Sequence, residues 1–290
     1  MKTCMRCSEQ AMTELIDVAP MTFAMGEEGP LSYPADGEGP VRDVTLSTYS
    51  IATTTVSNVE FAHFVEQTGH VTDAERYGWS FVFAGHLPDD FAPTRGVASA
   101  PWWRQVEQAS WMRPFGPSTS LDGLWDHPVV HVSYNDAKAY AAHLGCRLPS
   151  EAEWECAARA GSSQSFPWGD QLLGIDGAHR ANVWQGVFPA ENTEDDGYYG
   201  TAPVRAFEAN RWGIHNMIGN VWEWTGDWFG HEHSGCCAPD PSGPVEGEMR
   251  VLKGGSYLCH DSYCARFRPA ARSASAEDSS AGNVGFRLAR

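Results

Sequence analysis

The sequence predicts an α+β protein that forms a single loop-rich domain with little regular secondary structure. Three observations support this: helix-start signatures are few, candidate strands are short, and 29 glycines and 18 prolines are spread along the 290 residues. Neither an internal repeat nor a low-complexity linker divides the chain. We interpret residues 1–18 as an N-terminal tail whose order is left open, and residues 19–290 as the domain.

Three segments carry a capping box, in which a hydroxyl side chain caps backbone N–H groups and an acidic residue three positions later caps in return. They are Ser57–Glu60, Ser133–Asp136 and Ser150–Glu153. The first two open helices whose apolar residues share one face. The third, SEAEWECAARAG, predicts a helix that stops at Gly161, a residue type suited to a left-handed cap.

Four short segments are apolar or alternate in polarity and are bounded by turn residues, which predicts strands. They are VRDVTLSTYSI, HPVVHVS, MRVLKGGSY and GFRLA. Almost everything else is predicted to be ordered loop. Because so many loops need internal contacts that stabilise them, we expect buried tryptophans or bound cations to provide these contacts.

The charge and composition of the chain limit the classes of partner and the cellular compartment that we expect. A formal charge of -17 and a pI near 4.9 argue against nucleic acid and anionic membranes as main partners, because those rely on basic patches. No stretch approaches the ~20 apolar residues of a membrane span, and MKTCMRCSEQ lacks the apolar core of a signal peptide. We therefore expect a cytoplasmic protein whose eight cysteines stay reduced.

The segment from Lys253 to Arg268 contains the most informative cysteines. Cys259 and Cys264 lie five positions apart, with Ser256 and Tyr263 nearby. Two thiolates within reach of one ion suit Cu(I) or, with two further ligands, Zn(II). A disulfide, or two unrelated core cysteines, accounts for the spacing equally well, so spacing alone leaves these alternatives open.

Several motifs together resemble the formylglycine-generating enzyme (sulfatase-modifying factor) family. They are GGSYLCHDSYCARFRPAARS, GNVGFRLAR, RLPSEAEWECAARAG, NVWQGVFPAENTEDDGYYGTAPV and NMIGNVWEWTGDW. The broader superfamily shares RLPSEAEWE, GNVWEW and GFRLAR, which indicate a C-type-lectin-like fold more than an activity. The cysteine pair within GGSYLCHDSYC is the feature that separates the oxidase branch from its relatives.

The resemblance implies an oxidase that converts the cysteine of a Cys-x-Pro-x-Arg motif in sulfatases to Cα-formylglycine, using molecular oxygen and a thiol reductant. Cys259 and Cys264 would hold Cu(I), while Ser256 and Tyr263 would hydrogen-bond water or reduced oxygen, unless they are ordinary loop hydroxyls. The implied partner is an unfolded or nascent sulfatase chain, since a folded sulfatase buries this cysteine. We expect the enzyme to be a monomer.

The resemblance also implies two structural Ca²⁺ sites made of oxygen ligands. The first would use side chains of Asn182 and Asp196 and the backbone of Val183 and Tyr198. The second would use side chains of Asn216 and Glu223 and the backbone of Gly219 and Val221. The alternatives are an arginine ion pair for Glu223 and turn chemistry for the asparagines.

The family likeness places four residues near a peptide groove: Ser80, Trp102, Trp222 and Asn283. Trp79 stands where relatives tend to have an acidic residue, so the carboxylate that a substrate arginine needs is left unassigned. Five tryptophans cluster in predicted loops, and we expect three of them to be core residues. They are Trp102, Trp103, Trp111, Trp222 and Trp224.

Other interpretations stay open at this point. Cys4, Cys7, Cys236 and Cys237 together could form a zinc site, although adjacent cysteines give poor zinc geometry. A non-catalytic C-type-lectin-like binding module is an alternative function, because fold does not fix function. A non-haem iron sulfoxide synthase is a third, and it requires three histidine ligands that show no helical metal-binding spacing here.

Overall fold

A computed structural model describes residues 13–231 and 239–290 of the chain. The zinc hypothesis therefore lies outside the described residues, since Cys4, Cys7, Cys236 and Cys237 all do. Within them, four short helices are present: α1 Asn58–Thr68, α2 Asp73–Tyr77, α3 Tyr134–His143 and α4 Glu151–Arg159. None of these described helices combines the length and apolarity needed to cross a membrane.

The described strands are short and fall into five small sheets. They are β1 Leu15–Val18, β2 Met21–Met25, β3 Arg42–Leu46, β4 Tyr49–Ala52, β5 Trp79–Phe83, β6 Gly96–Val97, β7 Ala100–Glu107, β8 Gly186–Val187, β9 Glu191–Asn192, β10 Trp222–Trp228, β11 Arg250–Lys253, β12 Arg272–Ser275 and β13 Val284–Phe286. The largest sheet has the order β12-β11-β10-β13, and only its β10–β13 pair is parallel. A three-stranded sheet has the order β5-β7-β6, and β1–β4, β2–β3 and β8–β9 form two-stranded sheets.

The helices begin where the capping boxes predict. Ser57, Ser133 and Ser150 are the N-caps of α1, α3 and α4, and in each case the side chains cap reciprocally. The predicted stop of α4 is one residue late, because the left-handed cap is Ala160, with φ 45°, ahead of Gly161. Helix α2 was not predicted, although its Thr72–Glu75 capping box was visible in the sequence.

The strand predictions hold in part. VRDVTLSTYSI contains two strands, β3 and β4, that pair in different sheets, while MRVLKGGSY and GFRLA contain β11 and part of β13. The prediction for HPVVHVS is wrong, because its backbone bonds run to separate partners instead of one strand: Val129 N–H donates to Val56 and His131 N–H donates to Ala281. The sheet region also starts before residue 19, since β1 pairs with β4 from Leu15 onward.

Aromatic and aliphatic side chains from α1, α3 and the largest sheet form the main core. Phe61 and Phe286 are fully buried there, and the rings of Phe61 and Tyr140 stack at 5.9 Å. Three of the five clustered tryptophans are buried, whereas Trp102 and Trp103 are half-buried. The buried three are Trp111, Trp222 and Trp224.

Candidate active site

The cysteine segment begins in a tight turn directly after β11. Gly254 and Gly255 both have a positive φ, 95° and 76°. A Cβ atom on Gly255 would lie 2.8 Å from the Cα atom of Phe267, so only glycine allows the two stretches of backbone to approach this closely. The turn therefore brings the chain before Cys259 against the chain that follows Cys264.

The structure places the two thiols side by side. The Sγ atoms of Cys259 and Cys264 are 3.3 Å apart, well beyond the ~2.05 Å of a disulfide bond. Both cysteines are free, and both are buried, Cys259 at 1% and Cys264 at 7% exposure. Two free sulfurs at this distance can both contact a single metal ion, because metal–sulfur distances are about 2.3 Å.

The two thiols differ in their readiness to ionise. Burial raises the pKa of Cys259 well above its ordinary value. The hydrogen bond from the Cys259 thiol lowers the pKa of Cys264, and the backbone N–H and guanidinium of Arg266 act in the same direction. Cys264 is therefore the first of the pair to become a thiolate, and it is also the more accessible one. A pair of sulfur ligands that includes a ready thiolate fits Cu(I).

Ser256 lies beneath the thiols and is completely buried. Its Oγ accepts a 2.9 Å hydrogen bond from Asn283 Nδ2 and lies 4.0 Å from Cys259 Sγ. The backbone N–H of Ser256 points to the same sulfur at 3.4 Å. Asn283, predicted to line the peptide groove, is itself buried and orients Ser256.

An aromatic cluster surrounds the more open side of the pair. Tyr263, 40% exposed, stacks on Phe188 with 4.3 Å between ring centroids. Trp102 meets the Tyr263 ring edge-on at 5.0 Å. Because Tyr263 directly precedes Cys264, this partly exposed cluster lies beside the thiol pair, which suits a role in substrate contact.

Besides Asn283, two more of the four predicted groove residues are buried. Ser80 is fully buried, and its Oγ lies 2.8 Å from both Ser280 Oγ and His131 Nδ1. Trp222 is 7% exposed and packs in the main core. Neither side chain is presented to a bound peptide in this structure. The alternation of β5 explains Ser80, since residues 79 and 81 point to the face opposite residue 80.

That opposite face of β5 lines an open cavity of about 400 Å³ that sequence reasoning missed. The cavity is lined by Tyr77, Trp79, Phe81, Asp278, Ser279 and Ser280. The Tyr77 hydroxyl donates a 2.6 Å hydrogen bond to Asp278 Oδ2, which fixes an exposed carboxylate beside the aromatic rings. Nothing local in the sequence around Asp278 connects it to Trp79, 199 positions earlier.

The first predicted Ca²⁺ site contains a buried oxygen that lacks a partner. Asn182 Oδ1 is buried with no hydrogen-bond donor. The Gln185 side-chain nitrogen contacts both the Val183 carbonyl and Asp196 Oδ2, so these two oxygens converge on one point. Burial raises the pKa of Asp196, as expected of a carboxylate without a full complement of positive charge. Tyr198 joins the group through its N–H, which bonds Asp196 Oδ1 at 3.0 Å.

The second predicted site fits a cation less well. Asn216 Oδ1 is also buried without a partner. Glu223, however, already forms a bidentate pair with Arg287, at 2.6 and 2.7 Å, and accepts a bond from Trp154. The alternative of an arginine ion pair thus describes Glu223. Gly219 and Val221 lie in the same turn and strand start, where Gly219 N–H donates to Gly254.

Three of the described histidines are engaged in structural hydrogen bonds. His127 bonds Thr201, His131 bonds Ser80 and the Pro114 carbonyl, and His215 bonds the Phe207 carbonyl. Across residues 13–231 and 239–290, no three side chains of histidine, cysteine, aspartate or glutamate are grouped to hold a metal.

Fold and site together define a sulfatase-modifying-factor domain of the C-type-lectin-like type, and the comparisons with known proteins agree. The profile of the sulfatase-modifying factor enzyme 1-like domain matches residues 2–290. The chain belongs to this family.

Similar proteins include active and inactive members. A formylglycine-generating enzyme of Thermomonospora curvata is 51% identical over 98% of this chain and 95% of its own. A Bos taurus protein named inactive C-alpha-formylglycine-generating enzyme 2 is 40% identical over 92% of this chain and 84% of its own. Among solved structures, PvdO from Pseudomonas aeruginosa aligns with a TM-score of 0.67 and 26% identity, covering 95% of this chain and 93% of PvdO.

Proposed function

We propose that this protein is an oxidase that converts the cysteine of a Cys-x-Pro-x-Arg motif in a sulfatase polypeptide to Cα-formylglycine, with Cu(I) held by Cys259 and Cys264. The observation that carries the proposal is the pair of free sulfurs 3.3 Å apart, one of them a ready thiolate. Membership of a family with formylglycine-generating relatives supports it. Bound copper would supply the redox chemistry with molecular oxygen.

The overall reaction balances with one oxygen molecule and two electrons from a thiol reductant. The substrate CH₂–SH group, O₂, two electrons and two protons give the CHO group, H₂S and H₂O. The chain's own groups suit this chemistry: Cys264 provides the thiolate, while Ser256, fixed by Asn283, holds a hydroxyl near Cys259 that can bond water or reduced oxygen. Tyr263, next to Cys264 in the chain, and Trp102, whose ring meets it, offer apolar surface beside the thiols.

We further propose that the cavity along β5 binds the substrate arginine. Trp79 and Phe81 offer ring faces for a guanidinium and Asp278 offers a carboxylate. Phe83 lies four positions after Trp79 along β5, and it packs with Tyr257 and Leu258 just before Cys259. At ~3.3 Å per residue this span is ~13 Å, which matches the four positions from cysteine to arginine in an extended Cys-x-Pro-x-Arg motif.

Asp278→Asn tests this arginine site. We expect KM for a Cys-x-Pro-x-Arg peptide to rise about two- to fivefold, the size expected of a solvent-exposed charge pair, with kcat unchanged. A peptide with alanine in place of the arginine should not distinguish the variant from wild type. Asp122→Asn, an exposed substitution with no contact to the cavity, is the control. An equal loss with both peptides would contradict the assignment.

We also propose structural Ca²⁺ at Asn182, Val183, Asp196 and Tyr198, and weaker binding at Asn216, Gly219, Val221 and Glu223, because Arg287 already balances the Glu223 charge. The orphaned oxygens of Asn182 and Asn216 support both. A closed oxygen site would fasten loops that have few regular hydrogen bonds.

Removal of Ca²⁺ is expected to lower the melting temperature. With free Ca²⁺ at 100 times Kd, chelation by EGTA should cost about 5 °C or more for a chain of this size. Asp196→Asn should melt lower and lose most of this response, whereas Asp170→Asn, an exposed carboxylate elsewhere, should keep it. If EGTA left the melting temperature of the wild-type protein unchanged, the proposal of a structural cation would be wrong.

The proposed setting follows from the same chemistry. The described cysteines are all free thiols, a state typical of the cytoplasm, so we propose a cytoplasmic monomer acting on unfolded or nascent sulfatase chains. A chain that is still extended can lie along β5 and reach Cys264 without unfolding first.

A further inference from the structure

Cys259 and Cys264 are held in place from two different parts of the molecule. On one side, the Cys259 carbonyl accepts a 3.0 Å hydrogen bond from Trp184 N–H, and Tyr257 N–H donates to Asn220 at 2.9 Å. These contacts attach Cys259 to the body of the domain. Between the thiols, Asp261, Ser262 and Tyr263 are all exposed; Cys264 N–H donates to the His260 carbonyl at 2.7 Å within the same loop, and Tyr263 stacks on Phe188.

Cys264 is followed by three residues that contact a segment more than 225 residues earlier in the chain. Ala265 N–H donates to the Tyr33 hydroxyl at 3.0 Å, and Arg266 Nε donates to Asp36 Oδ2 at 2.5 Å. Arg268 forms a bidentate pair with Glu38 at 3.0 Å. The Arg266 guanidinium also lies 4.1 Å above the Tyr33 ring.

The partner segment, residues 33–38, is itself rigidly built. Residues 34–36 form a single 3-10 turn that Gly37 ends with a φ of 71°. A Cβ atom on Gly37 would lie 2.8 Å from Arg272 Nη1, and that guanidinium donates to the Asp36 carbonyl at 2.9 Å. The segment therefore presents Tyr33 and Asp36 to the cysteine loop in one defined arrangement.

We propose that the 33–38 segment positions Cys264, and that Tyr33 and Asp36 set the separation of the two sulfurs. The inference rests on the proposed function in one respect, that the pair binds Cu(I). The contacts on either side hold the two sulfurs 3.3 Å apart. At this distance they are near enough to share a metal ion and too far apart to be bonded to each other. Tyr33 and Asp36 are positioning residues, since they act through Ala265 and Arg266.

Loss of these contacts is therefore expected to weaken metal binding and to favour disulfide formation. If the segment is released, Cys264 can move on its exposed loop, and the pair loses preorganisation for copper. Outer-shell partners of metal ligands are typically worth ~10- to 100-fold in metal affinity. The freed thiols can also approach to bonding distance, where an oxidant removes two electrons and two protons to form the S–S bond.

The test uses the full chain with Asp36→Asn, Tyr33→Phe and the control Asp176→Asn, which removes a comparable aspartate–arginine contact of 2.8 Å at the surface. Cu(I) affinity is measured by competition with bicinchoninate, and thiol oxidation is measured in metal-free protein treated with diamide, which accepts the two electrons and two protons. We expect about tenfold weaker Cu(I) binding for Asp36→Asn, a smaller loss for Tyr33→Phe, and faster Cys259–Cys264 disulfide formation in both. Asp36→Glu, which keeps a carboxylate, should recover part of the affinity.

Equal Cu(I) affinity and equal oxidation rates for Asp36→Asn and Asp176→Asn would overturn the proposal. Should Asp36→Asn fail to fold, Tyr33→Phe decides, because it removes one hydroxyl from a half-buried ring and leaves the ion pairs in place. Neither readout involves a peptide substrate. A wild-type protein that binds Cu(I) but leaves the peptide unchanged would therefore end the proposed oxidase function and leave this inference standing.

Discussion

Cys264→Ser is expected to reduce peptide conversion by roughly a thousandfold or more, the scale on which loss of an essential catalytic group acts. Unlike a cysteine thiol, a serine hydroxyl is not ionised near neutral pH, and its oxygen is not a soft ligand for Cu(I). The same variant should therefore lose tight Cu(I) binding. Initial rates of peptide conversion and Cu(I) competition on the same preparation measure the two effects together.

Cys146→Ser is the matched control for that experiment. Cys146 is a free, half-buried thiol that packs against the edge of the main core, and its sulfur lies 3.7 Å from the Leu144 carbonyl. Its replacement should leave both conversion and Cu(I) affinity at the wild-type level. If Cys264→Ser kept full turnover, the assignment of the metal site would be wrong.

Arg287→Met is expected to lower the free energy of unfolding by about 3–5 kcal/mol, because it leaves a buried carboxylate without its partner. Arg287 is fully buried and Glu223 is 1% exposed, so water cannot solvate the charge that remains. The arginine also donates to the carbonyls of Ala52 and His215, both at 3.0 Å. One side chain thus ties β4, β10 and the end of β13 together.

Urea unfolding of Arg287→Met and of the control Arg180→Met measures the difference. Arg180 pairs with Asp176 and Glu208 at the surface, where such pairs contribute about 0–1 kcal/mol. A double variant, Arg287→Met with Glu223→Leu, should recover much of the lost stability since no unpaired charge remains. A loss of under 1 kcal/mol in Arg287→Met would show that the pair does not hold these strands.

Local chemistry explains which parts of the fold the sequence could predict. A capping box is complete within four residues, so Ser57, Ser133 and Ser150 marked three helices at their first turn. Strands depend on distant partners: β10 pairs in parallel with β13, about 60 residues later, and its bulged pairing with β11 follows no local pattern. The strand prediction for HPVVHVS is wrong for this reason, because its apolar residues pack into the core from a loop.

The candidate active site likewise combines residues that are close in the sequence with partners that are distant in it. The Cys259–Cys264 spacing alone left a shared metal ion, a disulfide and two unrelated core cysteines open, and the partners that position the pair come from elsewhere in the chain. Tyr33 and Asp36 are more than 220 residues from the cysteines, and Asp278 meets Trp79 only because its segment runs beside β5. Ser80 lies in the predicted place along β5 but on its inner face, and a shift of one position in a strand reverses a side chain.

The alternative of a non-catalytic binding module must account for the thiols. An inactive relative shows that the family includes proteins without the activity, so membership alone does not decide between the two. Adjacent free sulfurs with unequal tendency to ionise serve no purpose in a recognition surface, because both are buried. They fit the proposed redox centre.

Mass spectrometry of a Cys-x-Pro-x-Arg peptide incubated with the copper-loaded protein, oxygen and a thiol reductant tests the central claim most directly. The account predicts that the cysteine CH₂–SH is replaced by CHO, that the product reacts with an aldehyde-specific hydroxylamine probe, and that both signals vanish without oxygen. A wild-type protein that binds Cu(I) through Cys259 and Cys264 and yet returns the peptide with its cysteine intact would contradict it.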